Sequence, residues 1–437
     1  MTGASLDWRS SASGPLHGVV PVPGDKSVSH RAMMLAALAE GTSHIHGFLE
    51  GEDTRATAAA MQQLGVRIDT AGDGTRVVHG VGLHGLRACA APLDCGNAGT
   101  GMRLLTGLLA GQAFDSTLIG DASLSKRPMR RVTDPLEQMG AQIATHDGLP
   151  PLHVRGGRAL QGIRYTLPVA SAQVKSALLL AGLYARGETE VIEPHPTRDY
   201  TERMLAAFGW PIVFSPGRAR LAGGHVLRAT DVTVPADFSS AAFFLVAACI
   251  VPGSELLLPA VGLNPRRTGL LTALRLMGAD ISVENEGESG GEPVGDLRVR
   301  YAPLHGVELP EALVPDMIDE FPALFIAAAA AEGTTVVRGA AELRVKESDR
   351  LASMARGLRT VGVVVDEQPD GAVIRGGRIG GGAVDSHGDH RIAMSFAVAG
   401  LRAAAPIRIG DCGNVATSFP GFMMLANRCG FALSDAG

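Results

Sequence analysis

Aromatic and charged residues are both scarce in this chain. Trp, Tyr and Phe make up 4% of the residues, and Asp, Glu, Lys and Arg together make up 19%. The net charge is -5, and the sequence has no basic stripe of the kind that binds nucleic acid or an anionic membrane. We therefore expect small molecules rather than nucleic acid or membrane as partners.

Long apolar runs are missing too, and we expect no secretory leader. The run AAFFLVAACIV (Ala241–Val251) is shorter than the roughly 18 residues that a membrane span needs. The start, MTGASLDWRSSASG, lacks the apolar segment of a signal peptide. The five cysteines show no CxxC or CxH spacing, which argues against a zinc site and a disulfide framework. We expect a cytoplasmic protein.

Motifs for common cofactors and nucleophiles are absent as well. The sequence contains no HExxH, no calcium-loop pattern, no GxSxG elbow and no GxGxxG that opens a βαβ unit. The segment PGDKSVSHR (Pro23–Arg31) resembles a phosphate-binding loop, but it lacks the Gly-Lys pair and the upstream Gly of a nucleotide loop. We therefore predict no metal and no cofactor.

What the sequence does contain is a repeat. Six segments end a helical pattern with Gly and then start an apolar strand pattern: MQQLGVRI, LEQMGAQI, LAAFGWPI, LRLMGADI, LRTVGVVV and ANRCGFAL. Their glycines lie where a helix C-terminus favours a residue with positive φ, at Gly65, Gly140, Gly209, Gly278, Gly362 and Gly430. Generic α/β packing could also place glycines after helices, but a second series with the same period favours true repeats.

The second series consists of Ala- and Leu-rich helices that are apolar on nearly all sides: SHRAMMLAALAEG, TGMRLLTGLLAG, SAQVKSALLLAGLYARG, SSAAFFLVAACIVPG, EFPALFIAAAAAEG and HRIAMSFAVAGLRA. Each is followed by a short strand-like segment. The predicted unit is therefore strand, buried helix, strand, exposed helix, Gly, strand. Polar residues open these helices, and helix N-termini carry free N–H groups and partial positive charge, so the starts are suited to anions.

Charged residues in short motifs are the candidates for chemistry. A solvated surface position is the better interpretation for Arg130, Arg131 and Lys175. In RVKESDR, Lys346 and Arg350 are like charges one turn apart, so we expect them to repel each other unless an anion bridges them.

Two carboxylates and one histidine add to this set. Asp319 lies at the mouth of a buried helix, where it could also be only a cap, and Glu347 lies between Lys346 and Arg350. We interpret His390 as a packed core residue rather than a proton relay.

Six motifs, in this order, resemble those of the 5-enolpyruvylshikimate-3-phosphate synthase (3-phosphoshikimate 1-carboxyvinyltransferase) family of enolpyruvyl transferases: PGDKSVSHR, GNAGTGMR, KRPM, SAQVKSALLLAGL, RVKESDRL and DHRIAMSF. The resemblance implies an α/β fold of two domains, each with three βαβαββ repeats (an inverse α/β barrel), whose buried helices point their N-termini toward the interdomain cleft. It places residues 1–23 and 236–437 in domain I and residues 24–235 in domain II.

The resemblance also implies a reaction of the shikimate pathway, which leads to aromatic amino acids. The enolpyruvyl group of phosphoenolpyruvate moves to the 5-hydroxyl of shikimate 3-phosphate, and phosphate leaves through a tetrahedral intermediate without a metal. The implied enzyme is a monomer with two small anionic substrates.

By the same resemblance, three sets of residues have roles. The residues implied to bind shikimate 3-phosphate are Lys26, Ser27, Arg31, Ser171, Ala172, Gln173, Arg198, Asp319 and Lys346. The residues implied to bind phosphoenolpyruvate are Lys26, Gly99, Arg127, Gln173, Arg350 and Arg391. The residues implied in catalysis are Asp319 as the base for the attacking hydroxyl, with Glu347 and Lys26 for protonation of the methylene carbon.

Two positions depart from the pattern of the family that these motifs resemble, and a third bears on inhibitor sensitivity. Thr417 replaces a basic residue and Glu342 replaces an Asn found in many members, while Gly99 stands where glyphosate-insensitive members commonly have Ala, so the sequence assigns no inhibitor sensitivity. The segment Glu284–Asp296 is expected to be a variable loop. Two alternative functions remain: an enolpyruvyl transferase for another phosphorylated alcohol, and a non-catalytic anion-binding module on the same scaffold.

Overall fold

The computed structural model describes residues 6–436, and the chain divides into two compact units. Unit II contains Gly24–Pro235 and the short segment Glu288–Glu292. Unit I contains the residues up to Pro23, Ala236–Gly287 and the residues from Pro293 onwards. Each unit encloses a hydrophobic core of its own.

The described residues form 12 α-helices, six in each unit. Those of unit II are α1 (Lys26–Leu38), α2 (Glu52–Gln63), α3 (Gly99–Ala110), α4 (Arg130–Gln138), α5 (Ala172–Gly182) and α6 (Tyr200–Ala207). Those of unit I are α7 (Phe238–Ile250), α8 (Gly269–Leu276), α9 (Phe321–Ala330), α10 (Arg350–Thr360), α11 (His390–Gly400) and α12 (Phe422–Arg428).

The same residues form 23 β-strands. They are β1 (Trp8–Ser11), β2 (His17–Val19), β3 (Glu40–His46), β4 (Arg67–Thr70), β5 (Arg76–Val81), β6 (Leu93–Asp94), β7 (Ser116–Ile119), β8 (Gln142–His146), β9 (Leu149–Arg155), β10 (Arg164–Thr166), β11 (Glu188–Ile192), β12 (Ile212–Ser215), β13 (Arg218–Ala222), β14 (Val232–Thr233), β15 (Glu255–Gly262), β16 (Asp280–Ser289), β17 (Glu292–Arg300), β18 (Thr334–Val337), β19 (Val364–Gln368), β20 (Gly371–Arg375), β21 (Gly382–Asp385), β22 (Ile407–Gly410) and β23 (Ala432–Asp435).

Alternate helices along the chain are buried. Helices α1, α3, α5, α7, α9 and α11 are buried along almost their whole length, as expected for helices that are apolar on nearly all sides. The helices between them bury one face and expose the other. In unit I the three buried helices pack against one another, and in unit II α3 packs against both α1 and α5. The six predicted buried helices are confirmed.

The sheets of unit II repeat one pattern three times. Their strand orders are β14-β3-β5-β4, β6-β7-β9-β8 and β10-β11-β13-β12. In each sheet the first strand runs parallel to its neighbour and the other pairs are antiparallel. Because β14 follows the third repeat but pairs with β3 of the first, the last strand of the unit completes its first sheet.

Two of the three sheets of unit I have the same arrangement, whereas the middle one has three antiparallel strands. The strand orders are β16-β17-β15-β2, β18-β20-β19 and β21-β22-β1-β23. Strand β1 lies between β22 and β23, where Trp8 faces Ile409 on one side and Asp435 on the other. The N-terminal strand therefore completes the last repeat of the chain.

The glycine after each exposed helix has the conformation that the repeat predicts. All six have positive φ, between 80° and 113°, a region that side chains disfavour. The prediction of six copies of one unit is thus confirmed at the turns as well as in the helices and sheets.

One expectation was wrong. The segment Glu284–Asp296 is not a loop but the end of a β-hairpin formed by β16 and β17. Gly290 and Gly291 form the two-residue turn, with φ of 60° and 81°. A tight hairpin turn needs positive φ at these positions to match the right-handed twist of its two strands. The mostly polar composition of residues 284–296, at the tip of the hairpin, concealed it. Within residues 6–436, no helix has the length and apolar character needed to cross a membrane.

Candidate active-site residues

The first group of candidate residues lies at the start of α1 in unit II. Asp25 caps the helix, since its Oδ1 accepts a hydrogen bond from the Val28 backbone N over 2.9 Å. The Lys26 Nζ lies 2.9 Å from Oδ2 of the buried Asp53, at the start of α2. A cation and the free N–H groups of a helix start thus share one place, which suits an anion.

Arg31, one turn further along α1, is buried and held on several sides. Its Nε donates to the Thr201 hydroxyl over 2.7 Å, its Nη2 to the Ser176 hydroxyl over 2.8 Å and its Nη1 to the Ser27 carbonyl over 2.9 Å. Burial, followed by the like charge of Arg198, lowers the pKa of Arg31 to about 10, so the guanidinium is charged at neutral pH. The charge of Arg198 therefore acts on that of Arg31.

The start of α3 brings two guanidinium groups to Gly99. Arg127 Nη2 donates to Asn97 Oδ1 over 2.6 Å. A Cβ atom at Gly99 would lie 2.9 Å from Arg127 Nη1 and 3.2 Å from Arg103 Nη1. Gly99 therefore allows a guanidinium to approach the helix backbone closely.

Helix α5 begins beside α3 and is joined to it by a side chain. The Ser171 hydroxyl caps α5 by accepting from the Val174 backbone N. Gln173 donates from Nε2 to the Thr100 hydroxyl over 2.8 Å and accepts from Arg103 Nη1 over 2.7 Å. Because Arg31 also donates to Ser176 of α5, side-chain hydrogen bonds connect α5 to both α1 and α3.

The expectation for Lys175 was wrong, whereas Arg130 and Arg131 are exposed as predicted. The Lys175 side chain is 2% exposed, and its Nζ lies 2.8 Å from Glu193 Oε2 and 2.8 Å from Glu202 Oε1. Two carboxylates from later elements compensate its charge, which a local sequence pattern does not show.

In unit I, Asp319 lies two residues before α9 among three cations. Its Oδ2 accepts from Arg267 Nη1 over 3.0 Å. Its Oδ1 lies 3.5 Å from Arg350 Nη1 and 3.8 Å from Lys346 Nζ. The residue that precedes α9 is Glu320, so Asp319 does not cap this helix. Its carboxylate instead joins candidate residues of two other segments.

Arg350 also contacts Glu347, the second carboxylate of the candidate set. Its Nη2 lies 2.6 Å from Glu347 Oε2, and its Nε lies 2.8 Å from Oδ2 of the buried Asp389. Burial alone would lower the pKa of Arg350, but Asp389 and Glu347 more than offset burial and raise it. The carboxylates counter the repulsion expected between Arg350 and Lys346.

Lys346 has a depressed pKa. Burial lowers its pKa below the ordinary value of 10.5, and Arg350 acts in the same direction, while the carboxylates of Asp319 and Glu342 act against the shift. Glu342 thus helps to keep this lysine charged.

The start of α11 supplies the last candidates. Asp389 caps the helix by accepting from the Arg391 backbone N over 2.9 Å, and Arg391 Nη1 donates to the Asp319 carbonyl over 3.0 Å. His390 is buried, with Nε2 3.1 Å from the Ser418 hydroxyl. Thr417 is buried and its hydroxyl donates to the Asn414 carbonyl over 2.7 Å.

Some residues that contact the candidates gave little signal in the sequence. Asp389 stands in the quoted motif DHRIAMSF as a helix cap, and Asp53 is the second residue of α2. Arg267 follows Arg266 in NPRRTG, and nothing in the neighbouring sequence shows which of the two contacts a candidate residue. Within residues 6–436, no group of three or more His, Cys, Asp or Glu side chains has the arrangement of a metal site.

Comparison with solved structures defines the class by fold. The enolpyruvyl transferase NikO from Streptomyces tendae is 18% identical to this chain, with a TM-score of 0.81 over 99% of this chain and 100% of that one. An EPSP synthase from Acinetobacter baumannii is 52% identical, with a TM-score of 0.89 over 99% of this chain and 100% of that one. The fold is that of the enolpyruvyl transferases.

Sequence relatives identify the family. A family model described as EPSP synthase (3-phosphoshikimate 1-carboxyvinyltransferase) matches residues 11–425. A protein named 3-phosphoshikimate 1-carboxyvinyltransferase from Xanthomonas campestris pv. campestris (strain B100) is 70% identical over 99% of both chains. One of the same name from Xanthomonas euvesicatoria pv. vesicatoria (strain 85-10) is 70% identical over 100% of both. The chain belongs to the EPSP synthase family of transferases.

Proposed function

We propose that this chain transfers the enolpyruvyl group of phosphoenolpyruvate to the 5-hydroxyl of shikimate 3-phosphate, in the shikimate pathway, and releases phosphate. One observation carries the assignment of the site: Asp319 and Glu347, the two carboxylates of the proposed acid–base chemistry, both contact the buried guanidinium of Arg350. Family membership supplies the reaction.

We propose that shikimate 3-phosphate is bound mainly through its phosphate. Arg31 and Arg198 are neighbouring cations, and Ser27 and Ser171 supply hydroxyls at the starts of two buried helices. A dianionic phosphate would compensate the two guanidinium charges. The full proposed set is Lys26, Ser27, Arg31, Ser171, Ala172, Gln173, Arg198, Asp319 and Lys346.

Phosphoenolpyruvate carries a carboxylate and a phosphate, and both suit guanidinium groups. Arg127 beside Gly99, and Arg350 and Arg391 around Asp319, offer planar donors that can bind such groups through two hydrogen bonds. The full proposed set is Lys26, Gly99, Arg127, Gln173, Arg350 and Arg391.

The proposed chemistry is an addition followed by an elimination. Asp319 accepts the proton of the 5-hydroxyl as its oxygen bonds to C2 of phosphoenolpyruvate, while Glu347, together with Lys26, delivers a proton to the methylene carbon C3. In the second step C3 loses a proton, the C2–O bond to phosphate breaks, and the electron pair of that bond leaves with phosphate. Cations that already surround the site stabilise the charge that develops without reorganisation.

Phosphate release tests the proposal. The purified, chelator-treated protein should release phosphate only when both substrates are present. Asp319→Asn and Glu347→Gln should lower kcat by about 10²- to 10⁴-fold, the range typical of general acid–base groups. Asp316→Asn is the matched control, because Asp316 lies in the same segment but pairs with Arg266; its kcat should stay within about twofold of the wild type.

The other outcomes separate the alternatives. Release of phosphate with a different phosphorylated alcohol, and none with shikimate 3-phosphate, would indicate another acceptor. Binding of both substrates without release would indicate a non-catalytic anion-binding module. Wild-type kcat in both Asp319→Asn and Glu347→Gln would remove the assigned acid–base roles.

We infer further that the enzyme acts as a cytoplasmic monomer. All five cysteines are free thiols, which suits a reducing compartment. Light scattering on the purified protein should give a mass near the 45.2 kDa of one chain, and a mass near twice that would contradict the inference.

A further inference from the structure

Lys175, Glu193 and Glu202 form a buried ion cluster outside the proposed substrate-binding and catalytic sets. The side chains are 2%, 0% and 3% exposed. Bringing three charged groups out of water costs several kcal/mol per ion, and a buried ion pair is often no more stabilising than apolar side chains of similar volume. Stability alone therefore does not account for the cluster, which suggests that it fixes an arrangement.

The cluster ties a loop to the start of α5. Lys175 is two residues beyond Gln173 on α5, and Glu193 directly follows β11. The Glu193 carboxylate accepts two hydrogen bonds from Thr197: one from the backbone N, 3.3 Å from Oε2, and one from the side-chain hydroxyl. Arg198 is the next residue after Thr197. Lys175 therefore holds the loop that contains Arg198 in place, by way of its ion pair with Glu193.

The second carboxylate ties in α6 and, through it, Arg31. Glu202 lies on α6 next to Thr201, whose hydroxyl accepts from Arg31 Nε and donates to the Ser176 hydroxyl over 2.7 Å. Ser176, the neighbour of Lys175 on α5, also accepts from Arg31. The ion cluster thus lies directly beside the hydrogen bonds that orient the Arg31 guanidinium.

We propose that Lys175 is a positioning residue for the phosphate of shikimate 3-phosphate. It holds the Arg198 loop and α6 against the first turn of α5, so that Arg31, Arg198 and the Ser171 cap face one phosphate. This inference rests on the proposed function, since it takes the phosphate-bearing substrate from there. A prealigned set of donors lowers the ordering cost of binding, so its loss affects binding of this substrate.

Two variants test the proposal. Lys175→Met removes the cation and leaves two buried carboxylates, so poor folding could mask its effect on binding. The triple variant K175M/E193Q/E202Q buries no net charge, and its two amides can still form hydrogen bonds, so we expect it to fold. An effect of this variant on binding therefore reports on positioning rather than on folding. We expect the triple variant to raise the KM for shikimate 3-phosphate at least tenfold, with kcat and the KM for phosphoenolpyruvate within twofold of wild type.

A double-mutant cycle that combines the triple variant with Arg198→Ala shows whether the cluster affects binding through the loop that contains Arg198. If the cluster acts by positioning Arg198, Arg198→Ala in the triple variant should raise the KM for shikimate 3-phosphate much less than the same change does in the wild type. Arg164→Met is the matched control, because it removes an ion pair to Glu190 in the same sheet without touching residues 193–199; its KM values should not change.

The outcomes distinguish this inference from the proposed function. A folded triple variant whose KM for shikimate 3-phosphate is within twofold of wild type would overturn the positioning role, as would full additivity with Arg198→Ala. Absence of turnover by the wild-type protein with both substrates would instead overturn the proposed function.

Discussion

Nε of Arg350 lies 2.8 Å from Oδ2 of Asp389, and both side chains are almost completely buried. The same carboxylate accepts a hydrogen bond from the Arg391 backbone N in the first turn of α11 and another from the Ser348 hydroxyl over 3.0 Å. Asp389 therefore caps one helix of unit I and compensates the guanidinium at the start of another, α10. The charge on Arg350 remains in place for its contacts with Asp319 and Glu347.

Removing Asp389 should destabilise the protein. Asp389→Ala leaves the buried Arg350 without its main counter-ion and uncaps α11, so we expect a loss of about 3–5 kcal/mol in the free energy of unfolding, as for other broken buried pairs. Urea unfolding followed by circular dichroism measures this. Asp389→Asn, which keeps an acceptor for the cap, should lose less, and the exposed Asp385→Ala should change stability by less than about 0.5 kcal/mol. A wild-type midpoint for Asp389→Ala would contradict the prediction.

The fold was predictable because its signals are local. Burial of alternate helices follows from their apolar composition, and the turn after each exposed helix follows from glycine. Both features repeat six times, so an error in one copy would not have changed the architecture. The wrong expectation about the fold concerned the tip of the hairpin β16–β17, where residues 284–296 are mostly polar. The apolar residues that alternate along the two strands, such as Ile281 and Leu297, lie outside that segment.

The partners of the candidate residues were not predictable in the same way. Lys175 is buried because Glu193 and Glu202, 18 and 27 residues further along the chain, compensate it. Arg267 contacts Asp319 across 52 residues, while its neighbour Arg266 points to Asp316. Charge compensation over such separations depends on the fold, so one sequence identifies charged groups but not their burial or pairing.

Gly99→Ala should weaken phosphoenolpyruvate binding. The added Cβ would lie 2.9 Å from Arg127 Nη1, so the guanidinium must move. We expect the KM for phosphoenolpyruvate to rise about tenfold, or ~1.4 kcal/mol, with little change for shikimate 3-phosphate. Steady-state kinetics with each substrate varied in turn measure this. Gly72→Ala, where a Cβ meets nothing within 4 Å, is the control. An unchanged KM would show that Arg127 is not needed in its present position.

Lys26→Met should weaken the binding of both substrates, because Lys26 belongs to both proposed binding sets. The change also leaves the buried Asp53 carboxylate without its partner at 2.9 Å, which could impair binding indirectly. The double variant K26M/D53N separates the effects, since it removes that uncompensated charge. We expect both KM values to stay at least tenfold raised in the double variant. Recovery of either KM to the wild-type value would show that Lys26 serves only to compensate Asp53.

The depressed pKa of Lys346 predicts a pH dependence. Only the protonated amine is a cation for shikimate 3-phosphate, so kcat/KM for this substrate should fall as pH rises through that pKa, below the ordinary 10.5. Glu342 opposes the shift, so Glu342→Asn should lower the pKa of Lys346 further and move the alkaline fall to lower pH. Lys346→Arg should move it to higher pH, because arginine stays protonated.

The control for this pH profile is Glu308→Gln, which removes an exposed carboxylate that pairs with Arg338 rather than with Lys346. Its alkaline limb should coincide with that of the wild type. If the limb of Glu342→Asn also coincides, or moves to higher pH, then another group controls the fall. If Lys346→Arg leaves the limb in place, Lys346 does not carry the charge that binds shikimate 3-phosphate. If the alkaline limb moves to lower pH in Glu342→Asn and to higher pH in Lys346→Arg, then Lys346 must both lie near Glu342 and contact shikimate 3-phosphate.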